Sequence, residues 1–121
     1  MTELQQLRKG STPLLILSVL AEGKMHGYAI MRELEARSEG YFTMTAALLY
    51  PTLHQMEQDG LVESEWEDDP GQRRRKVYAI TQAGRERLAA GQAEWRRFVD
   101  QLFRTLGGGQ RGTDTQFRSL P

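Results

Sequence analysis

The 121-residue sequence has no cysteine, which excludes structural disulfides, thiolate metal ligands and cysteine nucleophiles. It has only two histidines, His26 and His54, which fall on different predicted elements. Two histidines without a third ligand at a recognisable spacing are a weak signal for a metal site. The sequence also lacks a glycine-rich phosphate loop between a strand and a helix. We therefore expect no enzyme, no cofactor and no bound metal.

An excess of one charge and a long apolar run are also missing. Sixteen basic residues balance sixteen acidic ones, so any nucleic-acid binding must rely on a local basic patch. The longest apolar run, residues 14–21, is too short for a membrane span of about 20 residues. It follows two basic residues, as a signal peptide would, but it starts with the helix-start pattern Ser-Thr-Pro. We expect one small, soluble, cytoplasmic domain that would gain burial from a partner subunit.

Two helical patterns occupy the first 40 residues. Residues 13–22 are apolar on nearly every side, which predicts a core helix with Pro13 at its first position and Gly23 at its end. After a turn over residues 23–27, a second helix is predicted to end near residues 38–40. Its inward side chains are expected to be Tyr28, Ile30 or Met31, and Leu34.

A third helix is predicted to start at Thr43 or Thr45, because either residue can cap it, and to end at residues 59–60. Three apolar side chains spaced four and three residues apart form its inward stripe, which is typical of a helix packed on a core. These are Leu49, Leu53 and Met56.

The other side of the third helix has the chemistry of a DNA-reading surface. It offers hydroxyl, imidazole and amide groups without a carboxylate, which suits base edges and phosphates. Pro51 lacks a backbone donor, so the helix should tighten or kink early, or else start later, near Tyr50. The candidate DNA-contacting residues are Thr45, Ala47, Tyr50, Pro51, His54 and Gln55.

Two strand patterns then predict a hairpin. Residues 61–67 alternate between apolar and acidic side chains, residues 68–71 form a turn, and residues 74–80 return. Four cations near the tip can straddle a DNA backbone, and arginine suits a narrow minor groove. Alternatively, they only pair with the acidic residues of the hairpin, which is weak on a surface. The cations are Arg73, Arg74, Arg75 and Lys76.

A long helix is predicted from residue 81 to about residue 106, with Gly91 as a point where it can bend. Residues 107–121 are polar and glycine-rich and are predicted to be a disordered tail. The apolar stripe of the helix repeats every seven residues and needs a partner. Trp95 at its centre either packs a dimer interface or brackets a flat ligand with its own copy. The stripe consists of Leu88, Trp95, Phe98, Val99, Leu102 and Leu106.

This order of elements predicts a mainly α (α+β) fold, a winged helix-turn-helix with a two-stranded wing and a long C-terminal dimerisation helix. The DNA-binding domain would span residues 1–80, the dimerisation helix residues 81–106 and the tail residues 107–121. The third helix would enter a major groove and the hairpin would be the wing. Two alternatives stay open, a winged-helix module that binds protein instead of DNA and a ligand sensor without DNA binding.

Five stretches of the chain resemble the PadR family of transcriptional regulators. They are LLIL (residues 14–17), HGYAI (residues 26–30), LYPTLH (residues 49–54), GLVESEW (residues 60–66) and RRRKVYAITQAG (residues 73–84). The resemblance covers roughly residues 10–106. It implies a homodimeric repressor whose third helix and wing bind a pseudo-palindromic DNA operator, and which an aromatic small molecule releases in many members.

The resemblance also implies roles for individual residues. It places Thr45, Tyr50 and His54 on the reading helix and Arg73 and Arg74 on the wing. It implies that the C-terminal helix packs against the first helix of the partner subunit, and it places planar ligands at the interface. The interface residues implied in this way are Leu14 and Leu17, and the ligand-contacting residues are Trp95 and Phe98.

One departure from the family pattern concerns the start of the reading helix. This chain has Ala46 and Ala47 where the family often has Pro-Gly before the Leu-Tyr-Pro element. The departure makes the DNA-facing turn more helical and leaves its base preference open.

Overall fold

The computed structural model describes residues 2–68, 71 and 73–107. It has two compact units, Met1–Ala89 and Ala90–Pro121. Its helix-rich architecture with one small sheet confirms the predicted fold class, whereas the predicted tail from residue 108 onward lies outside the described residues. The elements are α1 (Glu3–Leu20), β1 (Met25–His26), α2 (Gly27–Arg37), α3 (Ala46–Gln58), β2 (Val62–Glu67), β3 (Arg75–Ile80) and α4 (Gln82–Leu106).

Helix α1 starts at Glu3, so the predicted start at Pro13 is wrong. The N–H of Gln5 donates to the Thr2 hydroxyl oxygen at 3.1 Å, and the Gln5 side-chain oxygen accepts from the Thr2 N–H at 2.9 Å. This capping box satisfies two donors that the first helical turn leaves open. Pro13 then lies inside the helix, where its missing donor costs one backbone hydrogen bond.

The sheet has three antiparallel strands in the order β1-β3-β2. The sequence predicts a turn over residues 23–27, and this prediction is wrong for Met25 and His26, which form strand β1. Two residues are too few to show an alternating pattern, so the sequence gives no signal for this strand. The predicted hairpin is confirmed as β2 and β3. Facing pairs that define the register are Met25 with Tyr78, His26 with Val77, Val62 with Ile80, Ser64 with Tyr78 and Glu67 with Arg75.

The core of the unit Met1–Ala89 lies between helices α1 to α3 and the sheet. The predicted stripe of α3 is confirmed. In α2 the buried positions are Gly27, Ile30 and Leu34, whereas Tyr28 is 62% exposed, so the prediction that Tyr28 faces inward is wrong. The buried hydrophobic side chains are Ile16, Leu17, Val19, Leu20, Ile30, Leu34, Leu49, Leu53, Met56, Val62, Val77 and Tyr78.

Helix α3 begins at Ala46, so the alternative start near Tyr50 is wrong. Thr45 is the cap, because its hydroxyl oxygen accepts a hydrogen bond from the Leu48 N–H at 3.2 Å. Pro51 is accommodated inside the helix, where the Thr52 hydroxyl donates to the Leu48 carbonyl at 2.7 Å. The helix runs from Ala46 to Gln58 with the proline inside it.

The start of α4 is attached to the loop between α3 and β2. The Thr81 hydroxyl donates to the Gly60 carbonyl at 2.6 Å and accepts from the Gly84 N–H at 3.0 Å. Gly84 is required there, because a Cβ at this position would clash with the Leu61 carbonyl oxygen. The helix then continues without interruption through Gly91. Within the described residues, none of the helices combines the length and apolarity that crossing a bilayer needs.

Candidate nucleic-acid interface

The start of α2, the first turns of α3 and one face of the hairpin enclose a groove of about 850 Å³, called the aromatic groove below. Its lining carries four aromatic rings, and its charged groups are three cations and one carboxylate, that of Glu33. Planar rings beside positive charge suit a polyanion with flat groups. The aromatic and cationic lining residues are Tyr28, Tyr50, Trp66, Tyr78, Arg32, Arg75 and Lys76.

All six candidate DNA-contacting residues of the reading helix lie on its exposed side, which the buried stripe of α3 leaves open. The Gln55 amide donates to the Asp59 carboxylate at 3.1 Å, so a base contact by Gln55 would require this bond to open. The His54 ring nitrogen lies 3.3 Å from the Gln58 amide nitrogen. The side chains concerned are Thr45, Ala47, Tyr50, Pro51, His54 and Gln55.

Tyr50 turns from the exposed side of α3 toward α2. A Cβ built on Gly27 would stand 2.5 Å from the Tyr50 hydroxyl oxygen, which is closer than real Cβ atoms approach. Gly27 is therefore the residue that leaves room for the Tyr50 ring. The spacing of the two motifs in the sequence gives no hint of this contact, since 23 residues separate them.

The wing cations differ in the ion pairs and ring contacts that they make. Arg73 is exposed and makes no ion pair with any residue that the structure describes. Arg74 pairs with Asp68 at 2.8 Å and lies 5.4 Å above the Trp66 ring. Arg75 is exposed and lines the aromatic groove. The expected pairing within the hairpin therefore occurs for Arg74, and such an exposed pair opens at little cost.

Lys76 lies between two rings and near one carboxylate. Its ammonium nitrogen is 5.8 Å from the ring centroids of both Trp66 and Tyr78, and 3.9 Å from a Glu57 carboxylate oxygen. The other Glu57 oxygen accepts from the Ser64 hydroxyl at 2.7 Å. Glu57 lies on the same helix as the reading face, and these two contacts reduce its repulsion of a DNA phosphate.

Two acidic residues of β2 pair with a lysine outside the hairpin. Lys24, which precedes β1, lies 3.7 Å from the Glu65 carboxylate and 3.5 Å from the Glu67 carboxylate. The sequence does not reveal this partner, because the short strand β1 that brings Lys24 to the sheet has no pattern of its own. Glu65 and Glu67 therefore have a cationic partner outside the hairpin.

Burial determines the protonation of Tyr78. Desolvation raises the pKa of its hydroxyl above the ordinary value, and the nearby Glu57 and Tyr50 raise it further. The hydroxyl therefore keeps its proton at neutral pH and can donate a hydrogen bond. The sequence predicts that Lys76 and Tyr78 share one face of the strand, but their meeting with Trp66 and Tyr50 needs the tertiary fold.

Two residues predicted at the dimer interface belong instead to the core of the first unit. Leu17 is fully buried there and exposes no surface for a partner subunit. Leu88 packs against the same core, which leaves little of it for a partner. Leu14 is half-buried against this core. Periodicity places Leu88 on the stripe of α4, but it cannot tell which apolar neighbour this side chain meets.

The unit Ala90–Pro121 carries the rest of the stripe. Trp95 and Phe98 contact each other edge to face, with their ring centroids 5.8 Å apart. Trp95 and Leu102 are half-buried. Phe103 is a neighbouring ring that the seven-residue pattern omits. The exposed apolar side chains of this unit are Phe98, Val99, Phe103 and Leu106.

These features define a winged helix-turn-helix protein with a basic wing, and comparison with known proteins specifies its family. The family model for "Transcriptional regulator PadR-like family" matches residues 16–90. The transcriptional regulator Rv3488 of Mycobacterium tuberculosis is 36% identical over 110 residues, which cover 91% of this chain and 95% of that protein. The chain belongs to the PadR-like family of transcriptional regulators. Members of this family are transcriptional regulators and not enzymes, which confirms the prediction from the sequence.

Solved structures agree with this assignment. A PadR family transcriptional regulator from Eggerthella lenta is 31% identical, with a TM-score of 0.77 over 88% of this chain and 90% of that one. Bacillus subtilis PadR, solved in complex with operator DNA, has a TM-score of 0.60 at 20% identity over 65% of this chain and 45% of that one. The latter likeness concerns the fold alone. Both comparisons support the winged-helix fold.

Proposed function

We propose that this regulator is a homodimeric repressor that binds a pseudo-palindromic DNA operator and blocks the promoter beneath it. The reading helix would be α3 and the wing would be the hairpin of β2 and β3. The observation that carries the proposal is the aromatic groove, which Tyr50 of the reading helix lines together with Arg75 and Lys76 of the wing. Bacillus subtilis PadR, which has the same fold, was solved in complex with operator DNA.

Base reading would come from the exposed side of α3. His54 and Gln55 lie in the middle of the helix and are exposed, so they can reach base edges in a major groove. Thr45 and Tyr50 lie nearer its N-terminus, where a hydroxyl and the helix dipole favour phosphate. Ala47 and Pro51 would pack against thymine methyl groups or sugars.

Phosphate binding would come from the wing. Arg73 has no competing ion pair among the described residues, and the bond of Arg74 to Asp68 is exposed and weak. Each phosphate that such a cation neutralises releases counterions, so binding should weaken with salt. Arg75 and Lys76 extend the positive surface from the tip into the aromatic groove.

Dimerisation would come from the second unit. Its apolar side chains are exposed on one side of α4, and a helix with such a stripe is stabilised by a partner helix. A second copy offers the same stripe across a two-fold axis. The two reading helices of the dimer would then match half-sites about one turn of DNA apart.

Release by an aromatic small molecule is the regulatory part of the proposal. Trp95 and Phe98 contact each other edge to face on the stripe, so a planar molecule between two copies would meet aromatic faces. Binding there would change the angle between the subunits and the spacing of the reading helices. The same two rings would pack the dimer interface when no such molecule is bound.

Fluorescence anisotropy tests the proposal with the DNA upstream of the chain's own gene, scrambled DNA and a salt series. We expect specific binding to weaken steeply with salt, and the variant Arg73→Ala, Arg74→Ala to show a slope smaller by about two units. The matched control is Arg97→Ala, Arg104→Ala, which removes two exposed cations on the side of α4 away from its stripe. The control should keep the wild-type slope.

Equal and weak binding to both DNAs would be followed by selection from a random duplex pool, in case the operator lies elsewhere. Failure of that selection would overturn the repressor proposal. It would favour the protein-binding module, in which the wing cations contact an acidic partner.

A further inference from the structure

Helix α2 begins without a side-chain cap. The side chains of Thr2, Thr45 and Thr81 cap the other three helices described, whereas the N-cap residue of α2, His26, makes no such bond. The first N–H groups of a helix have no partner within it and need one from elsewhere. The first turn of α2 lines the aromatic groove. Its donors therefore face a space that a ligand can enter.

A second, independent observation points to a ligand in the same place. Tyr78 is only 5% exposed, yet its side chain lines the groove. Its hydroxyl makes no hydrogen bond with any residue that the structure describes. A buried hydroxyl without a partner is unfavourable, so such groups normally bind protein, water or ligand. The Tyr78 phenol is protonated at neutral pH and supplies an O–H donor, which an anion needs.

Tyr50 brings another hydroxyl to the same turn. A Cβ on Gly27 would stand 2.5 Å from the Tyr50 hydroxyl oxygen and 2.7 Å from two of its ring carbons. Any side chain at position 27 would thus push the Tyr50 ring away from α2. The Lys76 ammonium, 5.8 Å from the centroid of the Tyr78 ring, lies nearby and offsets the Glu57 carboxylate 3.9 Å from it.

We propose that the first turn of α2, with the hydroxyls of Tyr50 and Tyr78, forms a subsite for a phosphate group of the DNA backbone. This inference rests on the proposed function. The helix N-terminus and the two phenols supply donors, and the helix dipole favours the phosphate charge. Gly27 is a positioning residue, because it lets Tyr50 reach the subsite. A phosphate held there would fix the register of α3 on the duplex without reading bases.

The sharpest test combines Tyr78→Phe with chemically modified DNA. Each duplex of a series carries the selected operator with one backbone phosphate replaced by a neutral methylphosphonate. We expect Tyr78→Phe to weaken binding to the unmodified operator about tenfold, the usual effect of one hydrogen bond to a charged group. Its salt slope and base preference should stay those of the wild type, since no cation is lost. Gly27→Ala should weaken binding in the same way.

One modified duplex should identify the phosphate. On that duplex the wild type should lose affinity, and Tyr78→Phe should bind as tightly as the wild type does. Tyr41→Phe is the matched control, because Tyr41 is exposed and lies outside the groove lining. Circular dichroism and thermal unfolding of each variant separate a binding effect from misfolding. The subsite is overturned if folded Tyr78→Phe keeps wild-type affinity or loses affinity equally on every duplex.

Failure of the proposed function gives a different result, in which the wild type binds none of the duplexes. The amide NMR signals of residues 27–30 are then followed during titration with inorganic phosphate. If the wild type shows chemical-shift changes that Tyr78→Phe lacks, the subsite binds free phosphate. That result would overturn only the claim that the phosphate belongs to DNA. The same spectra for both proteins would overturn the subsite altogether.

Discussion

The two units of this chain differ in how completely they bury their apolar side chains. The unit Met1–Ala89 encloses its apolar side chains between three helices and a sheet, so that Leu49 and Leu53 are fully buried. The unit Ala90–Pro121 leaves Phe103 and Leu106 exposed by 49% and 68%. The first unit thus has a complete core within one chain, whereas the second presents a surface suited to a partner.

The same comparison explains where the candidate functions lie. The aromatic groove and the reading side of α3 belong to the first unit, whose core fixes their geometry. The second unit offers an apolar stripe, which suits assembly. On the proposed function, substitutions on the reading side of α3 can weaken DNA contact without changing assembly, whereas loss of the dimer would weaken binding to both half-sites.

The largest effect should come from opening the core of the first unit. Leu53→Ala removes a side chain with no exposed surface and should lower the free energy of unfolding by about 2–5 kcal/mol. Leu48→Ala is the matched control on the same helix, because Leu48 is 40% exposed and should cost much less. Urea denaturation at several protein concentrations measures both. Equal losses for the two variants would contradict the assignment of the core.

Substitutions in the apolar stripe of the second unit should weaken dimerisation. Phe98→Asp with Leu106→Asp places charges on the apolar side of α4 and should raise the dimer dissociation constant at least about 100-fold, or about 2.7 kcal/mol. Gln101→Asp is the control, since Gln101 is exposed and lies off the stripe. Analytical ultracentrifugation measures the change. A wild type that sediments as a monomer at all concentrations would refute the proposed dimer.

A smaller effect distinguishes the two threonines that precede α3. Thr45→Ala removes the hydroxyl that accepts from the Leu48 N–H and should destabilise the first unit by about 1 kcal/mol. Thr43→Ala should change the free energy of unfolding little, because Thr43 is exposed and precedes the cap. Thermal unfolding of both variants measures the two losses of stability. A larger loss for Thr43→Ala would contradict the observed helix start.

Much of this architecture could be predicted because its signals are local. The stripe of α3, the stop at Asp59 and the hairpin each follow from spacing and turn residues within a few positions. The start of α1 also has a local signal, although the pattern around Pro13 predicts a later start. Pro13 matches the preference of proline for the first helical turn, but the helix starts at the Thr2–Gln5 capping box upstream.

The rest of the candidate site depends on contacts between distant segments. Strand β1 is two residues long, so no periodicity marks it, yet it brings Lys24 to the acidic strand. The contact of Gly27 with Tyr50 depends on how α2 and α3 pack. The family resemblance implies an interface role for Leu17, whereas its side chain is fully buried within its own chain. Sequence patterns thus identify the elements and the chemistry available, and packing determines which groups meet.

The smallest effect concerns the pH dependence of the first unit's stability. The pKa of Tyr78 is raised in the folded chain, so its contribution to stability is fully present below the unfolded value of about 10 and is lost as the pH rises toward the folded value. At pH 10.5 the loss should stay below about 1 kcal/mol, because the unfolded state has only begun to gain from deprotonation. Urea denaturation between pH 8 and pH 10.5 should therefore show a shallower decline for Tyr78→Phe than for the wild type. Tyr41→Phe should keep the wild-type decline, since Tyr41 is exposed. Parallel curves for the wild type and Tyr78→Phe would mean that the Tyr78 hydroxyl is solvated in the folded chain, and they would weaken the case for a phosphate subsite as well.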